Sequence, residues 1–365
     1  MKYFTLKYFW KYLLAVFLLG WVGCTSESGE TLSDETEKGF PICWNVESDS
    51  TRNSRVLVDD DVLQNACTPT EAGCEAIGVW GKYDIDENGL ASTHEIFDNV
   101  PLTYAAKGED TNPYNDWNYP GESVFWRFGA EYCFRACFPQ SLMNELMTQM
   151  DATVFQGSIN TLTLQEDILV AATSVDTNTE NFIGPVKLDM QHIFAALKFK
   201  VKSADGFTPA NGEALTSCWL QNTSNATDLF SASGYLVHSG NASPEITWYP
   251  HTSSKAPMYV WKHQGVDFSS EKVLYTSNGG LDGGGYTHND GWLLIIPQTV
   301  KAGTLQFCYT LKHAGDQVFS VNIPAVTFVY GWRYTYVLEI RGSEVDVTLS
   351  IKPWNHLESN HEITI

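Results

Sequence analysis

Basic residues are scarce in this chain of 365 residues: 22 Lys and Arg stand against 43 Asp and Glu, a formal net charge of −21. A surface this acidic repels nucleic acid and anionic lipid headgroups, which excludes both as ligands held through their phosphates. Histidine is thin too, with nine residues scattered and no HExxH, and there is no G-x-S-x-G elbow or phosphate loop. No nucleophile–base arrangement is readable, and carboxylates are too common here for any pair to point to a glycosidase. Cysteine spacing gives no zinc motif. The expectation is a protein that is not an enzyme and carries no metal or cofactor.

Long apolar runs are also missing, with one exception at the start. Lys2, Lys7 and Lys11 form a basic leader, followed by an apolar run from Tyr12 to Val22. That run is about half the ~20 residues a spanning helix needs, so it reads as a secretory signal core. It ends in Val22-Gly23-Cys24 and then turns polar with Thr25-Ser26-Glu27-Ser28-Gly29-Glu30. A small residue directly before cysteine resembles a bacterial lipobox, although Trp21 stands where a Leu-like residue is usual. This makes Cys24 the expected lipidation site, with residues 1–23 as signal peptide and 24–38 as an acidic tether. The alternative is ordinary signal cleavage with an incidental Cys24; either way the mature chain is exported. Without the leader 19 basic residues face the same 43 acids, a net charge of −24. Several acyl chains on one cysteine would hold the protein firmly to a membrane, whereas one would not.

Residues 24–365 are too many for one small domain and comfortable for two. Seven cysteines remain after Cys24, an odd number that leaves at least one thiol over. Cys67 and Cys74 flank a turn-rich loop, Thr68 to Gly73, and are the candidate disulfide. Cys133 and Cys137 read as residues of one strand, roughly 13 Å apart and too far to bridge.

The hydrophobic period is two nearly everywhere. Leu197, Phe199 and Val201 alternate with Lys198, Lys200 and Lys202, and Val345, Val347, Leu349 and Ile351 with Asp346, Thr348 and Ser350. Trp292 to Ile296 is a continuous apolar run closed by Pro297, as in a strand buried on both faces. A helix is indicated only near Ser141 to Met147, after Pro139. Many short strands with few helices predict an all-β chain of two antiparallel β-sandwiches in tandem, of transthyretin-like, Greek-key type. The polar stretch Thr173 to Glu180 and the fresh strand at Val186 place them at 39–184 and 185–365.

Several segments, in order, resemble those of the fimbrillins, β-sandwich lipoprotein subunits of the type V pili of Bacteroidales. They are Tyr132 to Pro139, Asp167 to Ala171, Asp189 to Phe199, Leu294 to Gln298, Gly331 to Tyr336 and Ile351 to Trp354. The resemblance implies export to the outer membrane as a lipoprotein, then removal of an N-terminal segment and its first strand by a protease that cuts after arginine. A strand from a neighbouring subunit would fill the opened groove. In this chain Phe40 to Val46 is the candidate removable strand, with Ile42, Trp44 and Val46 facing inward. Arg52 and Arg55 are the candidate processing sites, and both also read as plain solvated loop charges. The implied partners are other fimbrial subunits, as homo- or hetero-polymer, the outer membrane through the lipid, and a host or bacterial surface ligand, with no nucleic acid. The rival reading is a surface lipoprotein that binds glycan or host protein without polymerising.

Asp84-Ile85-Asp86-Glu87-Asn88-Gly89 with Glu95 fits the pattern of a calcium loop. The preceding Ala76 to Tyr83 reads as a strand, however, so a hairpin turn rich in Asp, Asn and Gly is expected instead. Trp117, Tyr119, Trp126, Tyr132 and Phe134 suit a carbohydrate platform or a core, and the core is expected. His192 is expected to be a core histidine.

Overall fold

In the computed structural model the described residues are 40–48, 60–70, 73–87, 89–105, 116–178, 184–209, 213–224, 226, 229–240, 244–251, 258–274, 292–312, 317–341, 344–353 and 362–363. They form strands almost throughout, as the two-residue period predicts. The first group is β1 (Trp44–Ser48), β2 (Ile77–Glu87), β3 (Leu90–Tyr104), β4 (Trp117–Asn118), β5 (Ala130–Phe138), β6 (Met147–Met150), β7 (Val154–Asn160), β8 (Leu169–Asp176) and β9 (Val186–His192). The second comprises β10 (Ala195–Ser203), β11 (Leu215–Asn222), β12 (Ser233–Ser239), β13 (Glu245–Pro250), β14 (Met258–Val266), β15 (Lys272–Val273) and β16 (Leu293–Ile295). The last comprises β17 (Gln298–Val300), β18 (Leu305–Leu311), β19 (Val318–Asn322), β20 (Val326–Phe328), β21 (Trp332–Arg341), β22 (Glu344–Pro353) and β23 (Glu362–Ile363). Two short helices stand among the described residues, α1 (Asp60–Cys67) and α2 (Gln140–Leu146). The second falls where the sequence places it, after a cis Phe138–Pro139 peptide.

The first sheet has seven strands in the order β1-β9-β8-β5-β2-β3-β4. Its two faces serve two cores. Tyr132, Phe134, Ala136 and Phe138 of β5 enter one core with Ile77, Val79, Phe97, Leu169 and Val186. Cys137 of the same strand, with Trp80 and Val170, enters a second core against Phe155, Ile159, Leu236 and Ile246 of the four-stranded sheet β13-β12-β7-β6. Alternate side chains of a strand point to opposite faces, so a sheet covered on both sides needs apolar residues in consecutive positions. Tyr132 to Phe138 supplies them, with one exception, Arg135.

The third core lies between the sheet β15-β10-β21-β22-β23, which β16 also joins, and the sheet β14-β11-β18-β19. Leu197, Phe199 and Val201 of β10 face Cys218 and Leu220 of β11 and Phe307 and Tyr309 of β18 across it. The inward and outward residues of β10 are those the sequence pattern assigns. Leu293, Leu294 and Ile295 of β16 are all buried, as the continuous run requires.

Sheet membership does not follow the expected division at 184/185. β9 pairs with β1 in parallel and with β8 antiparallel, so it completes the first sheet and does not open a second sandwich. β12 pairs with β7 over seven residues, from Ser233↔Asn160 to Ser239↔Val154, so a hairpin from the later part of the chain extends a sheet begun by the earlier part. Arg135 strengthens that joint. Fully buried on β5, it donates to the carbonyls of His238 (2.9 Å) and Gly240 (2.8 Å) at the end of β12. Burial lowers its pKa to about 10, against a raising influence of Asp151.

Candidate functional site: the seat of the N-terminal strand

The first described residues, 40–48, lie along one edge of the first sheet. β1 runs parallel to β9, from Trp44↔Val186 to Ser48↔Met190. Just before it, Ile42 donates its N–H to the carbonyl of Val124 (2.8 Å), Trp126 donates to that of Phe40 (2.9 Å), and Pro41 bridges to Phe125. Residues 124–126 follow β4 at the opposite end of the seven-stranded sheet. The N-terminal segment thus joins the two ends of a sheet that curls around its own core. Pro41, which cannot donate, occupies the isolated bridge, where no ladder hydrogen bond depends on it.

Alternation decides what the strand buries. Ile42, Trp44 and Val46 are 2%, 0% and 6% exposed, the inward facing the sequence indicates. The Trp44 ring meets Phe97 and Phe134 edge-on, at centroid distances of 5.3 and 5.5 Å. Its indole Nε1 is buried with no hydrogen-bond acceptor among the described residues. On the outer face Lys187 of β9 lies 2.9 Å from Asp189 and 3.6 Å from Glu47. The hydrogen bond to Asp189 is the main cause of its raised pKa. The Ser48 N–H donates to Asp60 Oδ1 (2.5 Å), tying the end of β1 to α1. Leu63 and Cys67 of α1 pack into the same core.

Cys24, Arg52 and Arg55 lie outside the described residues. Cys67 and Cys74 are both free thiols in the structure, so the bridge expected between them is not formed. The turn-rich loop between them is closed by hydrogen bonds instead: Glu75 N–H to the Ala66 carbonyl (3.1 Å), Gly73 N–H to that of Thr70 (3.0 Å), and Thr68 Oγ1 to that of Gln64 (2.7 Å). Burial pushes the Cys67 thiol up to about 12, with Cys74 and Glu75 adding to it, while Cys74 is exposed.

The Asp84–Glu95 segment is the β2–β3 hairpin. Asp86 Oδ1 accepts the Gly89 N–H (2.7 Å), and Gly89 has φ +84°, the left-handed conformation a tight turn needs. Asp84 accepts from Thr93 across the hairpin, and Glu95 stands opposite Lys82, two residues before Asp84 on β2. Of the five aromatics that could have made a carbohydrate platform, Trp117, Trp126, Tyr132 and Phe134 are buried in the core and Tyr119 packs against it. His192 is buried on β9, its Nδ1 2.8 Å from Asp167 Oδ2, with side chains 1% and 6% exposed. That is too deep for either to meet a substrate.

The sequence matches the fimbrillin-like family over residues 55–354, and the chain belongs to that family. Among solved structures it is similar to a fimbrial protein from Bacteroides vulgatus, with 13% identity over 86% of this chain and 99% of that one, at a TM-score of 0.50. A candidate cell-adhesion protein from Bacteroides uniformis shares 15% identity over 80% of this chain and 95% of its own, at a TM-score of 0.46. The tip fimbrial protein Mfa3 of Porphyromonas gingivalis shares 13% over 76% and 95%, at 0.34. No curated protein matches the chain. Family membership supports a role as a fimbrial subunit at the cell surface, and a structural rather than enzymatic one.

Proposed function

We propose that this chain is a structural or adhesive subunit of a bacterial surface fimbria, exported as an outer-membrane lipoprotein on Cys24 and assembled by strand exchange. A cut after Arg52 or Arg55 releases residues up to that point, β1 among them. The observation that carries the reading is the seat of β1. Removing this strand opens one edge of β9 and the backbone of 124–126 and uncovers the pockets of Ile42, Trp44 and Val46. Such an opening accepts an extended segment from a neighbour, with main-chain hydrogen bonds supplying the ladder and alternate side chains filling the pockets. The partners are other fimbrial subunits in a homo- or hetero-polymer, and the lipid holds the uncut form to the outer membrane.

The test is limited cleavage by an arginine-specific protease, followed by electrophoresis without boiling at several protein concentrations. A ladder that grows with concentration, absent from an Arg52→Gln/Arg55→Gln variant, is expected. A cleaved chain that stays monomeric at every concentration would overturn strand exchange and favour a non-polymerising surface lipoprotein. Mass spectrometry of the membrane-extracted protein should show an acylated Cys24; an unmodified N-terminus elsewhere in the leader would sink the anchor.

A further inference from the structure

Away from the seat of β1, a buried histidine stands where the sheet β13-β12-β7-β6 meets the first sheet. His238 of β12 is 1% exposed and lies opposite Phe155 of β7 and Ile246 of β13. Its ring centroid is 6.0 Å from that of Phe155, and the Arg135 guanidinium carbon is 5.6 Å from the same Phe155 centroid. The His238 carbonyl accepts from Arg135 (2.9 Å), so imidazole and guanidinium meet at one point of the joint. The imidazole Nδ1 is buried with no hydrogen-bond partner among the described residues. The surroundings give a proton on this ring nothing to pair with. β6, β7 and β12 carry no other acidic or basic side chain, and Glu245 of β13 is exposed and paired with Ser239. The Tyr235 phenol points to the other face of β12. From the first sheet come Arg135 itself and the thiols of Cys133 and Cys137, which burial keeps protonated. Lys82 stands opposite Cys133 and lies 3.8 Å from Asp84. Asp151, in the β6–β7 turn, acts on Arg135. The other buried histidine, His192, has the Asp167 carboxylate 2.8 Å from its Nδ1, whereas His238 has a cation beside it.

We propose that His238 is an acid-sensitive latch: a proton on its imidazole undocks β12 from the first sheet while the third core stays folded. Protonation sets a second cation beside Arg135, out of water and with Asp151 as the one acid for both, which is costly. The imidazolium is relieved only by reaching water, and for that β12 must part from β5. Burial, and then Arg135, lower the His238 pKa to about 3. A group whose folded pKa lies below its unfolded value, here about 6.5, favours the open form as pH falls. The stability is fully present above 6.5 and is lost on the way down to the folded value, at about tenfold per pH unit in the open-to-closed ratio. Asp151, held below the usual carboxylate range by its hydrogen bonds, loses its charge at the bottom of the same span and leaves the two cations without an anion. The third core has no such group. Its buried titratable side chains are Cys218, Tyr309, Tyr334 and Tyr336, whose pKa values burial raises, so acid leaves them as they are. The latch belongs to the fold itself and operates whether or not strands are exchanged.

The test is hydrogen exchange of the full chain at pH 7.5 and 4.5, corrected for the intrinsic pH dependence of exchange, on the parent and on His238→Phe. Phenylalanine keeps a ring beside Phe155 and gives up no hydrogen bond at Nδ1. In the parent, opening at β7 and β12 should rise about a hundredfold between the two pH values, well beyond any rise at β10, β18 and β21. In the variant that excess should vanish. An equal excess in parent and variant overturns the latch. So does a rise shared evenly by β10 and β21, which is global acid unfolding. The parent alone supplies a second measurement that holds even where the variant fails to fold. Followed by NMR, the His238 ring should stay neutral in the closed form down to pH 4.5, and a ring that titrates near 6.5 overturns the latch.

Discussion

The two ends of this chain present strands of the same alternating kind in different settings. β1 pairs in parallel with one neighbour over five residues and touches 124–126 through a short bridge. β22 pairs antiparallel with β21 over ten residues, from Trp332↔Pro353 to Arg341↔Glu344, and pairs on its other side with β23. Parallel pairs are slightly weaker per residue, and the departure of residues 40–48 would break one five-residue ladder and the two hydrogen bonds to 124–126. The strand of inward-facing Ile42, Trp44 and Val46 is thus held by a shorter pairing than the strand of Val345, Val347, Leu349 and Ile351, which suits the removal proposed for it. The alternation shows that a strand buries one face; only its neighbours show whether the fold can spare it.

The largest expected effect breaks the comparison at the C-terminal end. Deleting residues 344–365 should abolish cooperative melting of the uncut chain as well as polymerisation, since burying four such side chains is worth roughly 6–12 kcal/mol before ordering costs. A truncated chain that keeps its melting temperature and only fails to polymerise would make β22 a dedicated donor. At the other end, Trp44→Ala should cost the uncut chain about 3–5 kcal/mol in denaturant unfolding. After cleavage and refilling of the seat by a donor strand, the same substitution should cost nothing.

Between the two ends stands the sheet that joins them. Arg135→Met leaves the carbonyls of His238 and Gly240 without their buried donor, and a loss of about 2–3 kcal/mol is expected. The thermal transition should broaden as the early and late parts of the chain uncouple. A smaller effect is expected at the β6–β7 turn. Burial of the Asp151 carboxyl raises its pKa, but hydrogen bonds from Thr153, Gln149 and Val154 outweigh that and hold it below the usual range. A carboxylate with a depressed folded pKa contributes stability present above its unfolded pKa, near 4, and lost as pH falls through the folded value. Asp151→Asn should therefore cost under about 1 kcal/mol at pH 7 and nothing at pH 2. The smallest is chemical: at pH 8 Cys74 should be alkylated rapidly and Cys67 slowly, because burial keeps the Cys67 thiol protonated.

Local pattern made the strands legible and left their partners open. Lys198, Lys200 and Lys202 face outward and Leu197, Phe199 and Val201 inward because a period of two has one reading. Val186, Leu188 and Met190 show equally clearly that β9 is a strand, yet nothing local records that it pairs with β1 rather than with β10. The same holds for β12 and β7, which pair from Ser233↔Asn160 to Ser239↔Val154. The burial of Ile42, Trp44 and Val46 was readable from alternation, while the closing contact with 124–126 was not. Helix α1 escaped notice because eight residues among turn signals give two turns of pattern. Arg135 did leave a signal: one charge inside the apolar run Tyr132 to Phe138 has to reach a partner through the second face of the sheet.

On the export proposed above, the shared sheet sets an order of events during passage across the membrane. β7 pairs with the adjacent β6 but cannot gain its second partner until β12 has crossed, and Arg135 finds its carbonyl acceptors 103 and 105 residues downstream. Contacts this distant in sequence form slowly, because the loop must close before they reward it. On that proposal the leading part of the chain should remain incompletely folded until Gly240 has crossed, which keeps the polypeptide threadable. The brace then acts as a checkpoint on the far side: only a chain that has crossed past Gly240 can tie its early strands to β12.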